Sequence, residues 1–449
     1  MKHRKVPFGP SSNVSVNLPV SHPDHPKLST VLLVLLLAWL LIGPRVELAQ
    51  VSGSSVRLED FILFGIGFFV VSIWPRVRSK KLIKPGIALV LAASLFAAGL
   101  GSFYGRTELL PSVLYALRPV EYWVVYPAVA IILAEDGWHA RKLIWRCLLA
   151  VTYLQAIVAA LQYLGGFELG FSSSSNDRGA GLSAGPYELG AICSMLACFW
   201  LYKKRYVTFA VAIAGVLMSQ SRVSLLGLLV GILVVILSRQ GRTSRAKLPV
   251  TAKKANPVLI VGSTIFLVIG IVFSPYLIQN VFLPGIDRVQ ETSILSSWRE
   301  SGYVVNRTPR LASASEYSTV AYEGIGENIL QSTTSSDASN VVRFYRWQLL
   351  IREVTDSPEK ILFGVGPSYA GPSVDGAWLR IFVEAGLVGL AAWTILAARW
   401  IRGREAWFIG AVVTILIGSV FIDLMFAMRP MLLLWVMSAL AYSKSKNFS

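Results

Sequence analysis

The chain has little charge, little histidine, few cysteines and no internal repeat. Only 15% of its 449 residues are charged, against about 25% in soluble domains. That excludes the two or three soluble domains its length would otherwise suggest. The four histidines, His3, His22, His25 and His139, fall in the N-terminal tail or a short loop, and neither HExxH nor a CxxC pair occurs. The familiar metal constellations are therefore absent from the sequence. Cys147, Cys193 and Cys198 all lie in apolar runs, where an odd number argues against a disulfide framework; they read as small hydrophobes. The lack of a repeat weakens an inverted-repeat transporter. Disorder is excluded as well, because 21 Phe and 13 Trp are too many apolar anchors.

What is present is hydrophobicity: 54% apolar residues and a mean hydropathy of +0.58. Apolar runs occur near 28–43, 59–74, 84–101, 117–134, 143–165, 187–202, 205–219, 222–238, 257–278, 377–398, 406–422 and 428–442. Backbone in lipid must satisfy its own hydrogen bonds, so each run is expected to be a helix. The expectation is an all-α polytopic membrane protein with about 12 transmembrane helices. Residues 1–27 read as a disordered tail, 28–275 as spans one to nine, 276–376 as one large loop, 377–442 as the last three spans, and 443–449 as a second tail. The first run is short for a span of about 20 residues and competes with a cleavable signal. An uncleaved helix is expected, because no small-residue cleavage site follows it.

Basic residues alternate along this plan. The two tails and every second loop hold 26 of the 42 Lys and Arg, which puts both termini in the cytoplasm by the positive-inside rule. The net charge of +17 is therefore a topology signal, not a mark of nucleic-acid binding. Of the other sixteen cations, fifteen are Arg and only Lys360 is a lysine. Insertion or codon bias explains that set as well as function does, but it explains less well the arginines placed at helix mouths. Arg222 opens a span, Arg178 precedes the turn before Pro186, and Arg429 precedes Pro430. Charge at such places is expensive and usually functional, and the rigid Arg fork suits phosphate.

The acids are fewer. Glu121 follows Arg118, and Glu384 follows Arg380, by one helical turn, a spacing that favours intrahelical pairing. Glu188 stands at a helix start, where capping competes with catalysis. Asp375 precedes a span and suits its N-cap region. Asp423 shows no obvious partner. The loop at 276–376 is too long to be structureless unless it is functional. It is expected to form partial helices over the mouth of the bundle, with Ser332–Asn340 its most flexible part.

Three segments resemble the O-antigen ligase/polymerase family of bacterial envelope glycan assembly, whose members include the Wzy-type polymerases. The first is Arg178-Gly-Ala-Gly-Leu-Ser-Ala-Gly-Pro-Tyr-Glu, similar to the family's Arg, Gly and Pro-Asn entry to a helix. The second is Ser219-Gln-Ser-Arg-Val-Ser-Leu-Leu, similar to its Ser-Arg helix mouth. The third runs from Arg343-Phe-Tyr-Arg-Trp through Phe363-Gly-Val-Gly to Asp375-Gly-Ala-Trp-Leu-Arg-Ile-Phe-Val-Glu-Ala-Gly-Leu-Val-Gly. Ligase-like members carry His-Asn where this chain has Asp375-Gly376, so the resemblance favours a polymerase over a ligase.

The resemblance implies a GT-C-like glycosyltransferase in the inner (cytoplasmic) membrane. It would join polyprenyl-diphosphate-linked glycans into O-antigen or exopolysaccharide at the outer face, without cofactor or metal. Arg222 and Arg343 would be the main diphosphate ligands, with Arg178, Arg346 and Arg429 in lesser roles. Asp375 would activate the acceptor hydroxyl, with Glu188 second. Membrane lipid, a chain-length regulator and a flippase would be its partners. The alternatives are an O-antigen ligase acting on lipid A-core, a lipid-linked-glycan flippase, and a scaffold that binds the lipid without turnover.

Overall fold

The computed structural model describes residues 25–44, 46–51, 54–73, 85–167, 178–243, 298, 301–302, 305, 311, 313–323, 338–371, 374–402 and 404–445. The first nine helices are α1 (Leu28–Ile42), α2 (Leu58–Ile73), α3 (Pro85–Phe103), α4 (Leu109–Trp123), α5 (Val125–Glu135), α6 (Gly137–Gly165), α7 (Pro186–Tyr202), α8 (Tyr206–Met218) and α9 (Arg222–Thr243). A small antiparallel hairpin, β1 (Glu47–Val51) and β2 (Ser54–Arg57), joins α1 to α2, with Val51 opposite Ser54. The later helices are α10 (Ala314–Ser318), α11 (Ala338–Val354), α12 (Pro358–Phe363), α13 (Ala377–Ile401), α14 (Ala406–Phe421) and α15 (Met428–Ser445). A π-helical turn, Thr319–Glu323, extends α10.

Among the described residues, four stretches are long and apolar enough to cross a membrane: Gly86–Phe103, Leu109–Glu135, Gly137–Gly165 and Ala377–Ile401. Shorter apolar helices, including Leu28–Ile42 and Ala406–Phe421, accompany them. The hairpin apart, this is a helical membrane protein. The run at 257–278, most of the N-terminal tail, residues 276–297 and residues 446–449 lie outside the described residues.

Two helices begin well before their apolar runs. Helix α4 starts at Leu109 rather than near 117 because its polar residues find partners inside: Ser112 Oγ donates to the Pro367 carbonyl at 2.8 Å. Helix α6 starts at Gly137 rather than near 143. Arg141, Lys142 and Arg146, expected in a loop, therefore ride on its first turns, where long aliphatic stems can lie along apolar surface with the charge outermost.

Contacts between helix ends fix the alternation. The Lys27 N–H, ahead of α1, donates to Asp136 at 3.1 Å, and Lys27 Nζ lies 3.6 Å from Glu135. At the other end of α1 the Gly43 carbonyl accepts from Arg429 at the start of α15. The far part of α15 carries Tyr442, with Arg404 over its ring at 5.2 Å. After α14 the chain returns to the first residues of α13, where Asp423 accepts from the Val374 and Gly376 N–H groups. The bundle thus has a Lys27 end and an Asp375 end.

The described parts of the 276–376 loop form helices with a core of their own. Tyr317, Val341, Leu349, Leu350 and Val374 are buried there, continuous with Val383 of α13. Ala338–Asn340, expected to be flexible, instead form the first turn of α11; residues 332–337 lie outside the described residues.

Helix α13 is broken at Gly386, whose φ of +64° and ψ of −162° stop the helical ladder. The loop after α12 repairs the break: the Val365 and Gly366 N–H groups donate to the Val383 and Glu384 carbonyls at 2.8 and 3.2 Å. A Cβ on Gly386 would collide with the Leu362 carbonyl. The two glycine motifs of the third segment are therefore halves of one joint. Irregular backbone at such depth is tolerated where protein satisfies it.

Candidate functional site

The candidate residues gather at the Asp375 end in two groups. The first surrounds the N-termini of α7 and α9. Residues 178–185 form an irregular loop ahead of Pro186, and two glutamines on α6 hold it in the bundle. Gln162 Oε1 accepts from the Ala180 and Gly181 N–H groups at 2.8 and 2.7 Å, and its Nε2 donates to the Gly181 carbonyl at 3.0 Å. Gln155 Oε1 accepts from the Leu182 N–H at 2.8 Å. Both glutamines are buried. Buried backbone groups cost about 1–3 kcal/mol each if left unpaired, so these side chains are what allows the loop to enter the bundle.

This loop fixes Arg178 and Glu188. Arg178 is half-buried, donates to the Ser219 and Gln220 carbonyls at 3.4 and 3.2 Å, and lies 5.0 Å over the Tyr187 ring. Glu188 Oε2 accepts from the Ala184 N–H at 3.2 Å, a capping contact. The serines of the second segment are structural too. Ser221 Oγ accepts from the Ser224 N–H at 3.3 Å as the cap of α9. Ser224 packs against Gly190 of α7 so closely that no Cβ fits there. Arg222 remains. It is exposed, is the first residue of α9, and forms no ion pair with a described residue.

The second group lies on a shelf ahead of α13. Asp375 has a φ of +57°, a left-handed conformation that costs an L-residue about 1–2 kcal/mol. The Asp423 carboxylate accepts from the N–H groups on both sides of it, Val374 at 3.0 Å and Gly376 at 3.2 Å. Trp347 of α11 donates its Nε1–H to the Val374 carbonyl at 2.8 Å. Asp375 Oδ2 lies 3.6 Å from Arg343 Nε, with both side chains partly exposed, 32% and 23%. The Arg343 Nε atom in this contact is itself shielded from solvent, while about a third of the Asp375 side chain stays accessible.

Below the shelf is a second pair. Arg380 is fully buried and donates to Asp423 at 2.9 Å, to the Gly371 carbonyl at 2.9 Å, to Glu384 at 3.4 Å and to the Tyr115 hydroxyl. A small cavity of about 20 Å³, lined by Tyr115, Pro119, Glu384, Trp393 and Phe426 among others, adjoins it. Further out, the buried Tyr369 hydroxyl donates to the Leu311 carbonyl at 3.3 Å. Burial raises its pKa, which keeps it a donor.

Helix register joins the groups. Helices α9 and α14 run antiparallel, with Gly227 against Thr414 and Gly231 against Gly410. Arg222 is therefore level with the last turn of α14, whose Val420 carbonyl abuts Gly376. Arg178, Glu188, Arg222, Asp375 and Arg343 share one end of the bundle. Arg346 and Arg429 serve the backbone. Arg346 donates to the Ala321 carbonyl at 3.1 Å, and Arg429, with no exposed surface, donates to the Gly43 carbonyl.

Of the two intrahelical pairs expected, Arg380–Glu384 forms. Arg118 instead lies 4.7 Å over the Tyr115 ring, and Glu121 faces Asp60 of α2. Asp423, which had no obvious partner in sequence, has Arg380 and two backbone amides. Gln155 and Gln162 were also missed; their seven-residue spacing, two turns on one face of an apolar helix, was the available signal. Among the described residues no three His, Cys, Asp or Glu side chains come together as a metal site requires. No protein-family model matches the chain, and no curated protein matches it.

Proposed function

We propose that the chain is a polysaccharide polymerase. It would transfer a glycan from a polyprenyl diphosphate to a sugar hydroxyl of another lipid-linked repeat unit, at the outer face of a bacterial cytoplasmic membrane. In this reading the Asp375 end faces outward, both termini are cytoplasmic, about twelve helices span the bilayer, and the architecture is GT-C-like. The observation that carries it is the Arg343–Asp375 pair: a carboxylate held on a left-handed backbone, partly exposed beside a cation, at the same end as the exposed Arg222.

The chemistry needs little more. The bond between the anomeric carbon and the diphosphate oxygen breaks as the acceptor oxygen bonds to that carbon. Arg222, at the N-terminus of α9 where backbone N–H groups also favour anions, supports the departing diphosphate, and Arg343 is the second ligand. Fixed cations in a dry site stabilise such charge without a metal. Asp375 accepts the proton of the acceptor hydroxyl, a role worth about 10²–10⁴-fold. Asp375→Asn should therefore leave faint activity, and Arg222→Ala should cost far more.

Purified protein given a short polyprenyl-diphosphate-linked oligosaccharide should yield laddered products on one lipid. Transfer only to a lipid A-core acceptor would make it a ligase. Wild-type rates in both variants would refute the site. The break in α13 favours a transporter as the second reading, since transporters bind cargo at broken helices. Here, however, the carbonyls freed by the break are taken by Val365 and Gly366. A flippase would move the labelled lipid across vesicles without joining sugars.

A further inference from the structure

We infer that Asp423 is the positioning residue for Asp375. Its carboxylate, locked by Arg380, grips the backbone on both sides of Asp375 and sets that side chain beside Arg343. The inference rests on the reading of Asp375 as the carboxylate that activates the acceptor.

The grip is two-handed. Asp423 Oδ2 accepts from the Val374 N–H at 3.0 Å and Oδ1 from the Gly376 N–H at 3.2 Å. Those are the residues immediately before and after Asp375. A side chain held at φ +57° persists only where its surroundings over-determine it, and here they do. Trp347 takes the Val374 carbonyl at 2.8 Å. Gly376 sits against the Trp347 ring and the Val420 carbonyl with no room to spare. The Ala377 N–H reaches the Ile422 carbonyl at 3.4 Å, next to Asp423 itself.

Asp423 is in turn fixed from below. Arg380 donates to its Oδ2 at 2.9 Å and cannot swing away, because Tyr115, Gly371 and Glu384 hold the same guanidinium. The shelf bearing Asp375 is thus tied through Asp423 and Arg380 to α4, α13 and α14. A reacting group must be held to about 0.5 Å, and a displacement of about 1 Å can cost roughly 10²-fold. Asp423 meets that demand without touching substrate.

The test uses full-length protein in detergent or nanodiscs. Asp423→Asn keeps the volume but turns one acceptor oxygen into a donor facing an N–H group. Asp423→Glu keeps the charge for Arg380 but shifts the grip by a methylene. Hydrogen–deuterium exchange of peptides covering 374–377 should accelerate about tenfold or more in Asp423→Asn, more than exchange elsewhere, and the melting midpoint should fall because the buried Arg380 loses a counter-ion, whereas Asp423→Glu should keep it. In Asp423→Glu the acceleration should be smaller. Turnover of a polyprenyl-diphosphate-linked oligosaccharide should show kcat lowered about 10²-fold with KM within about twofold. Unchanged exchange at 374–377 would overturn the grip. Faster exchange with wild-type kcat would overturn its role in positioning. The exchange measurement needs no substrate, so a wild-type protein that makes no product would overturn the transferase reading while the grip stood or fell separately.

Discussion

Two arginine–aspartate pairs sit one above the other at the Asp375 end, and they are built for opposite purposes. In the lower pair Arg380 has no exposed surface and meets Asp423 at 2.9 Å through one terminal nitrogen, while Tyr115, Gly371 and Glu384 all accept from the other. In the upper pair Arg343 and Asp375 stand 3.6 Å apart, both partly open to solvent. The buried pair has so many partners that neither member can leave. The upper pair is the more open of the two, with 32% of the Asp375 side chain and 23% of that of Arg343 accessible. The lower pair holds the backbone on both sides of Asp375, so that residue keeps its left-handed conformation.

The sharpest way to break this comparison is to remove one buried partner. Arg380→Met leaves Asp423, only 18% exposed, with two backbone amides but without its cation, a change that costs up to about 3–5 kcal/mol where the stranded charge is buried. The variant should melt far below wild type in detergent, or fail to accumulate. If its melting midpoint matched wild type, the lower pair would not be the scaffold. The glutamine clamp comes next. Gln162→Leu strands the Ala180 and Gly181 N–H groups at about 1–3 kcal/mol each before relaxation. Its melting midpoint should fall by less than that of Arg380→Met, and proteolysis within 178–185 should quicken.

How much of this was legible in the sequence follows from the same contrast. The apolar runs were read as helices because hydropathy is a local property, and the Arg380–Glu384 pair was legible because its spacing is one helical turn. Asp423 lies 43 residues from Arg380, and no local pattern relates an acid at one helix end to the amides ahead of another helix. The left-handed backbone of Asp375 was invisible for the same reason: an Asp before a span suits an N-cap equally well. Arg429 was misleading in the opposite way. A lone arginine at a helix mouth looks like a ligand, yet its guanidinium donates to the Gly43 carbonyl just past α1, where a cation also suits the helix dipole.

The upper pair yields the smallest effects on stability and the most informative ones. Asp375→Gly relieves the left-handed strain, so the melting midpoint should hold or rise by the equivalent of up to about 1 kcal/mol, while transfer is lost. That gain against that loss is the expected mark of strain kept for function. Arg343→Gln should lower the midpoint by less than Arg380→Met does, and raising the salt concentration should shrink the difference only in part, because a partly buried pair is screened less than an exposed one. Its cost should appear as weaker use of the diphosphate-linked donor. A fall in stability as large as that of Arg380→Met would show that the upper pair is a second brace, and Asp375 would then lose the freedom to meet a substrate.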